Sequence, residues 1–215
     1  FTEAAIAAAA EVEGQKRIAV VWSNDAYGSG LIAAAKVDVP KYGAQLVADE
    51  SYTPNSTKDF SSVLTKIKSV NPDAILLATT YSDAALIAKQ ARQLGITALF
   101  IAPTGSNTPQ YLSLGGSAVE GSLIPALFNP VSTDPQIQKF TATFKAKFNR
   151  EPGESSATGY AAVQLLEYAL NQGATSRSQI IDKLSAGKDM PTIFGPFTYS
   201  SSHGAGSLSS LALLV

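Results

Sequence analysis

Residues 19–35, AVVWSNDAYGSGLIAAA, set an apolar run against a polar turn, two glycines and an alanine-rich run. Within them Gly28-x-Gly30-x-x-Ala33 has the spacing with which a strand-to-helix turn lets a pyrophosphate approach the backbone. Asp49 and Glu50 follow about twenty residues on, where a ribose-binding acid is expected. The chemistry on offer is dinucleotide binding, and with it hydride transfer by an NAD(P)-dependent oxidoreductase of Rossmann type. Geometry argues against it, because Asn24-Asp-Ala-Tyr27 intervenes before the first glycine and fills the phosphate position with side chains. The same glycines also serve simply to open a helix.

Other reaction classes find less support. No G-x-S-x-G occurs, and the single histidine, His203, stands in Ser-Ser-His-Gly-Ala-Gly with no carboxylate beside it, as a structural or solvated histidine does. Cysteine is absent, which removes disulfides, thiolate catalysis and cysteine-based zinc sites together. Asp and Glu are scattered without the spacing of a metal cage, so neither a metal nor a cofactor is expected. Asn55-Ser-Thr57 matches a glycosylation sequon that counts only in a eukaryotic secretory protein. What remains is positional chemistry at three strand ends: Ser23 to Tyr27, Thr79 to Asp83 and Pro103 to Asn107. Their hydroxyls, phenols and acids suit hydrogen bonding to a small polar molecule, and polar βα loops of no function look the same.

The elements that must position these residues alternate in a βα rhythm. Ile18 to Trp22 leads to a helix from about Gly28, AQLVADESY to one from about Lys58, AILLATT to one from Asp83, and LFIAPTG to a short one near Pro109. That alternation specifies an α/β fold with a parallel sheet and crossover helices. Phe60, Val63, Leu64, Ile67 and Val70 share one helix face, and Asn71-Pro72 ends it. Ser82 is the candidate N-cap of the next helix, and Pro40 is expected to end or kink the first near Val39. After EGSLIPALFNP three helices follow with no strand between them. One is capped by Asp134-Pro135 and carries the stripe Ile137, Phe140, Phe144, Phe148; one spans about Ser156 to Leu170; one opens on the capping-box pair Ser176 and Gln179 and stops at Gly187. FGPFTYSS then returns to a strand.

The 215 residues suffice for one large or two small domains. Sixteen basic against seventeen acidic residues give a formal net charge of −1, so the overall field offers a polyanion nothing, and nucleic acid is not an expected partner. No apolar stretch approaches the roughly 20 residues of a membrane-spanning helix, so direct membrane insertion is not expected. FTEAAIAAAAEVEG reads as a short alanine-rich helix, with neither a basic start nor a cleavage site.

KRIAVVWSNDAYGSGL, DFSSVLTKIKSVNPDAILLATTYSDAALIAKQARQLG, AVEGSLIPALFNP and GPFTYSSS together resemble the substrate-binding proteins of branched-chain amino acid type ABC transporters, the type I periplasmic binding proteins. The resemblance runs in order over essentially the whole chain. It implies a Rossmann-like parallel-sheet lobe plus helices belonging to a second lobe, with roughly one hundred family residues, most of the N-terminal lobe, ahead of Phe1. Residues 1–125 would be the C-terminal lobe, 126–189 helices of the N-terminal lobe, and 190–215 a return to the C-terminal lobe. The implied function is capture of a small polar metabolite, an amino acid or a carboxylate- or amide-like molecule, outside the cytoplasm, for delivery to a membrane permease. A ligand-sensing receptor domain is the other use of the same fold. Tyr27 and Tyr81 match ligand-facing tyrosines of the family, with Asp25, Thr80 and Ser106 as further candidates. Thr104 stands where amino-acid-binding members carry a glutamate that pairs with the ligand's ammonium. A neutral threonine cannot supply that charge. The resemblance also leads us to expect that the isolated chain dimerises, aggregates or repacks the helices of residues 135–170, whose apolar faces would lack their sheet.

Overall fold

The computed structural model describes residues 2–199 and 211–214. The described residues divide into two compact units, one of residues 2–126 with 211–214 and the other of residues 127–199.

The first unit opens with α1 (Thr2–Ala7), prolonged by a π turn over Ala8–Val12. There follow β1 (Arg17–Ser23), α2 (Ala26–Lys41), β2 (Gln45–Tyr52), α3 (Ser61–Ser69), β3 (Ala74–Ala78), α4 (Tyr81–Gln93), β4 (Leu99–Ile101), α5 (Pro109–Gly115) and β5 (Leu123–Ala126). The strand order is β2-β1-β3-β4-β5, all parallel, and a further strand at Leu211–Leu214 pairs antiparallel with β5 at the edge. The α/β parallel sheet expected from the βα rhythm is the architecture observed.

Alternation along the strands decides which helices cover which face. Ala19, Val21, Ile75, Leu77 and Phe100 point to the side packed by α3, α4 and α5, where Leu64, Ile67, Ile87 and Tyr111 are buried. Ile18, Val20, Ala74, Leu76 and Ile101 point to the other, against Ile6 of α1 and Ile32, Ala35 and Val39 of α2. With both faces covered, the central strands read as unbroken apolar runs.

α2 ends close to the expected Val39, at Lys41, with Pro40 in its last turn, where it forfeits a single ladder bond. The helix closes with Gly43 N donating to Pro40 O (3.0 Å) and Ala44 N to Val39 O (3.2 Å). Two other boundaries differ from the sequence expectation. The helix expected from Lys58 starts at Ser61. Ahead of it Gln90 holds the chain, its Nε2 donating to Lys58 O (2.8 Å) and its Oε1 accepting from Phe60 N (2.7 Å). In α4 the N-cap residue is Thr80, which has the extended backbone a cap needs, and Ser82 lies inside the first turn.

The second unit holds α6 (Pro135–Phe148), α7 (Glu154–Asn171), α8 (Arg177–Ala186) and a hairpin of β6 (Met190–Thr192) with β7 (Gly195–Phe197). Asp134 Oδ1 accepts from Gln136 N and Ile137 N, as its place before Pro135 predicts. Ser176 caps α8, but Gln179 Oε1 accepts from Thr175 N rather than completing the box on Ser176. The segment FGPF does form a strand, in a small sheet of its own, with Ile193 joining Phe128, Phe140, Ala157 and Ala161 in the core of the second unit. The strand at Leu211–Leu214 joins the first unit's sheet beside β5. His203 lies outside the described residues.

Candidate functional site

The carboxyl ends of β1, β3 and β4 bring together the loops that hold the candidate residues. Asp25 caps α2: its Oδ1 accepts from Gly28 N (2.8 Å) and from Ser23 Oγ (3.1 Å). This places the start of α2 directly on the strand end. A β-carbon on Gly28 would stand 2.0 Å from Ser23 O, so the glycine serves close helix–strand packing. Gly30 has nothing within 4 Å of that position. Asp49 accepts from Trp22 Nε1 (2.5 Å) and pairs with Lys36 (2.7 Å), and Glu50 pairs with Lys66 (2.8 Å). Gly28 and both acids of the dinucleotide-like pattern therefore have structural partners, and Gly30 faces open space.

Tyr27 of α2 and Thr104, in the 3-10 turn after β4, open onto one cleft of about 170 Å³ whose walls include Leu31, Ile101, Pro103 and Pro125. With Thr2 also in its lining, it offers three hydroxyl residues on an otherwise apolar wall. Partial burial holds the Tyr27 phenol above its ordinary pKa, the Asp25 charge adds to this, and a hydrogen bond with Thr104 opposes it. The phenol thus stays protonated and able to donate. Tyr81 and Thr80 stand exposed at the start of α4, and Thr80 Oγ1 lies 3.2 Å from Ser82 Oγ. Ser106 is buried, and its Oγ has no hydrogen-bond partner. Of the six candidates, the structure places Tyr27 and Thr104 on one cleft. It engages Asp25 as a cap and sets Tyr81, Thr80 and Ser106 elsewhere around the strand ends.

One group at these strand ends lies outside the sequence expectation. Tyr52, the last residue of β2, is buried with its hydroxyl bonded to Thr79 Oγ1 and donating to Asp83 Oδ2 (2.7 Å). Burial raises this phenol's pKa well above its ordinary range, reinforced by the bond to Asp83 and by the Asp83 and Asp25 charges. A tyrosine closing an alternating strand is its only sequence signal. Its partners come from the turn after β3 and the first turn of α4 and leave no local pattern.

In the second unit, α6 and α7 leave an apolar groove of about 460 Å³, lined by Phe140, Phe144, Phe148, Tyr160 and Ile193 and edged by Lys139 and Lys147. Phe148 is 51% exposed, and Val163 on α7 62%. Among the described residues no cluster of three or more His, Cys, Asp or Glu could hold a metal ion. No helix among them is long and apolar enough to cross a membrane.

Comparison with known proteins agrees with this geometry. The family described as "Periplasmic binding protein" matches residues 2–210. Leu/Ile/Val-binding protein homolog 3 of Brucella melitensis is 31% identical over 188 residues, covering 86% of this chain and 50% of the relative. The Leu/Ile/Val-binding protein of Escherichia coli is 30% identical over 186 residues, covering 86% and 49%. Among solved structures, the leucine binding protein LivK of Thermotoga maritima matches with a TM-score of 0.88 at 30% identity, over 100% of this chain and 62% of that one. The substrate binding protein LivJ of Streptococcus pneumoniae, solved with isoleucine, shares the fold at a TM-score of 0.82 and 24% identity, over 100% and 64%. The chain belongs to the periplasmic binding protein family and spans about half the length of the curated relatives it matches.

Proposed function

We propose that this member of the periplasmic binding protein family works as a solute receptor of an ABC importer. In this proposal it captures a small polar metabolite outside the cytoplasm by closure of two lobes and hands it to a membrane permease, without converting it. The observation that carries the proposal is the family match over residues 2–210, with Leu/Ile/Val-binding relatives aligned along 86% of the chain. Residues 2–126 with 211–214 would furnish one wall of the ligand cleft, and residues 127–199 would belong to the second lobe. Tyr27 and Tyr81 would donate phenolic hydrogen bonds and present an apolar ring, and Thr104 a neutral hydroxyl, with Asp25, Thr80 and Ser106 behind them. A binding wall made of hydroxyls suits a carboxylate or amide joined to a hydrocarbon part.

Calorimetry on the full chain tests this with L-leucine, L-isoleucine, L-valine, the ammonium-free analogue 4-methyl-2-hydroxypentanoate, NAD and NADP. We expect binding of at least one of the first four, with the hydroxy acid no weaker than leucine, since Thr104 carries no charge for an ammonium. Tyr27→Ala and Tyr81→Ala should each weaken the bound solute by about 1–3 kcal/mol. Tight binding of NAD or NADP with none of the solutes would overturn the proposal and favour an oxidoreductase.

A further inference from the structure

Tyr27 and Tyr81 stand in the first turns of α2 and α4, which follow the loops leaving β1 and β3; Asp25 caps the first of these helices, and the second has no side-chain cap. The loop after β1 begins at Asn24, whose N–H donates to Tyr52 O (2.8 Å). The loop after β3 turns sharply, with Thr79 N donating to Leu77 O (2.9 Å), and enters α4 through Thr80, which makes no side-chain capping bond. An uncapped helix start at a strand end is free to fray unless something outside the helix holds it. Here the holder is again Tyr52. Its phenol reaches Thr79 at the turn and Asp83 in the first turn of α4, past β1, which lies between β2 and β3 in the sheet.

We infer that Tyr52 is a positioning residue, a clamp that fixes the β1 and β3 exit loops to one another and so sets where Tyr27 and Tyr81 stand. Its carbonyl holds one loop and its hydroxyl the other. The ring cannot swing away, because it is 5% exposed and meets Phe60 edge-on with centroids 4.8 Å apart. Phe60 is fixed in turn by Gln90 of α4, so the clamp and the helix it holds brace each other. Thr79 is fully buried and would have no solvent to turn to if the phenol were lost. This inference rests on the proposed ligand-facing role of Tyr27 and Tyr81, which it extends to a residue that never touches the solute.

The test separates the clamp from that role. Amide hydrogen exchange by NMR on the full chain reads both loops, through the Asn24, Thr79 and Ala84 N–H groups, with Leu76 in β3 and Ile32 in α2 as references. Tyr52→Phe keeps the ring and its packing. It should speed exchange at Thr79 and Ala84 by about tenfold, as removal of one buried hydrogen bond does to a local opening, and leave unchanged both the references and Asn24, whose bond to the Tyr52 carbonyl survives the substitution. Asp83→Asn keeps an acceptor for the phenol and should keep exchange slow, whereas Asp83→Ala should reproduce Tyr52→Phe. Unchanged loop exchange in Tyr52→Phe, or equal acceleration at Leu76 and Ile32, overturns the clamp. In a second arm, with L-leucine as the probe, Tyr52→Phe should weaken binding in the parent chain and add nothing in a Tyr81→Ala background, because it acts through Tyr81. Additive losses there overturn the clamp as well. An unchanged affinity in Tyr81→Ala instead overturns the ligand-facing assignment of Tyr81 and leaves the exchange pattern to decide the clamp.

Discussion

Gly28 and Gly30 occupy the same turn of α2, yet alanine at the two positions should act in opposite directions. At Gly28 the new β-carbon would meet Ser23 O at 2.0 Å, Ser23 Oγ at 2.7 Å and Ser23 N at 2.8 Å. Two of the three are backbone atoms of β1 and cannot rotate aside, so the helix start must lift from the strand. Overpacking of this kind costs about 1–3 kcal/mol. The lift also stretches the Asp25 cap on Gly28 N, which is worth about 1 kcal/mol. Alanine's helix preference returns at most about 1 kcal/mol, so the clash wins and the net loss is about 1–3 kcal/mol. For a chain of this size that lowers the unfolding midpoint by about 2–12 °C. At Gly30, with open space around the β-carbon, alanine should raise stability by about 0.4–1 kcal/mol. Thermal and urea unfolding followed by the fluorescence of Trp22, the single tryptophan and the neighbour of Ser23 in β1, reads the affected junction directly. A Gly28→Ala midpoint at or above the parent's, or shifts of the same sign in the two variants, would refute the packing role assigned to Gly28.

Two further perturbations address the same unit. Burial holds the phenols of Tyr52 and Tyr111 above their ordinary pKa, so the unfolded chain releases these protons first. Their contribution is complete below about pH 10 and declines as pH rises beyond it, and Tyr52→Phe and Tyr111→Phe should each flatten the alkaline fall of the urea midpoint. Arg92 stacks on Phe100 at 4.1 Å and donates to Ile96 O (2.7 Å) and Ala98 O (2.9 Å), closing the turn from α4 into β4. Arg92→Ala should cost about 1.5–3 kcal/mol in urea unfolding, and Arg92→Lys, which lacks the planar fork, should recover only part of it.

The periodic parts of the chain are legible in the order of residues alone. Ile18 to Trp22, AILLATT and the stripe from Val63 to Ile67 carry their burial in their spacing, and Asp134-Pro135 marks a helix start by its own chemistry. Local rules fail where a distant partner decides. Lys58 to Phe60 stays non-helical because Gln90, far along the chain, takes its backbone groups. The start of α4 shifts from Ser82 to Thr80 in a turn that Tyr52 ties down from β2. For the site, Tyr27 and Thr104 stand out by their places at strand ends, and they do share a cleft. Tyr52 does not, because a single tyrosine at a strand end predicts nothing until the strand order β2-β1-β3 sets it beside Thr79 and Asp83. The edge strand Leu211–Leu214 is equally silent, since four apolar residues read as well for strand as for helix.

That edge strand ties the sheet to the direction of synthesis. The five parallel strands emerge from the ribosome in one stretch, whereas the strand that covers β5 follows only after all of residues 127–210. Throughout that interval Leu123–Ala126 presents open hydrogen-bonding groups, a template on which a stray strand from another nascent chain can dock. Pro125 sits in the middle of this exposed stretch and has no N–H to donate, so a foreign strand finds an interrupted ladder. The chain's own closing strand pairs across the same gap, Ala212 opposite Pro125, and gains its hold from being tethered nearby, an advantage of effective concentration that an intruder lacks.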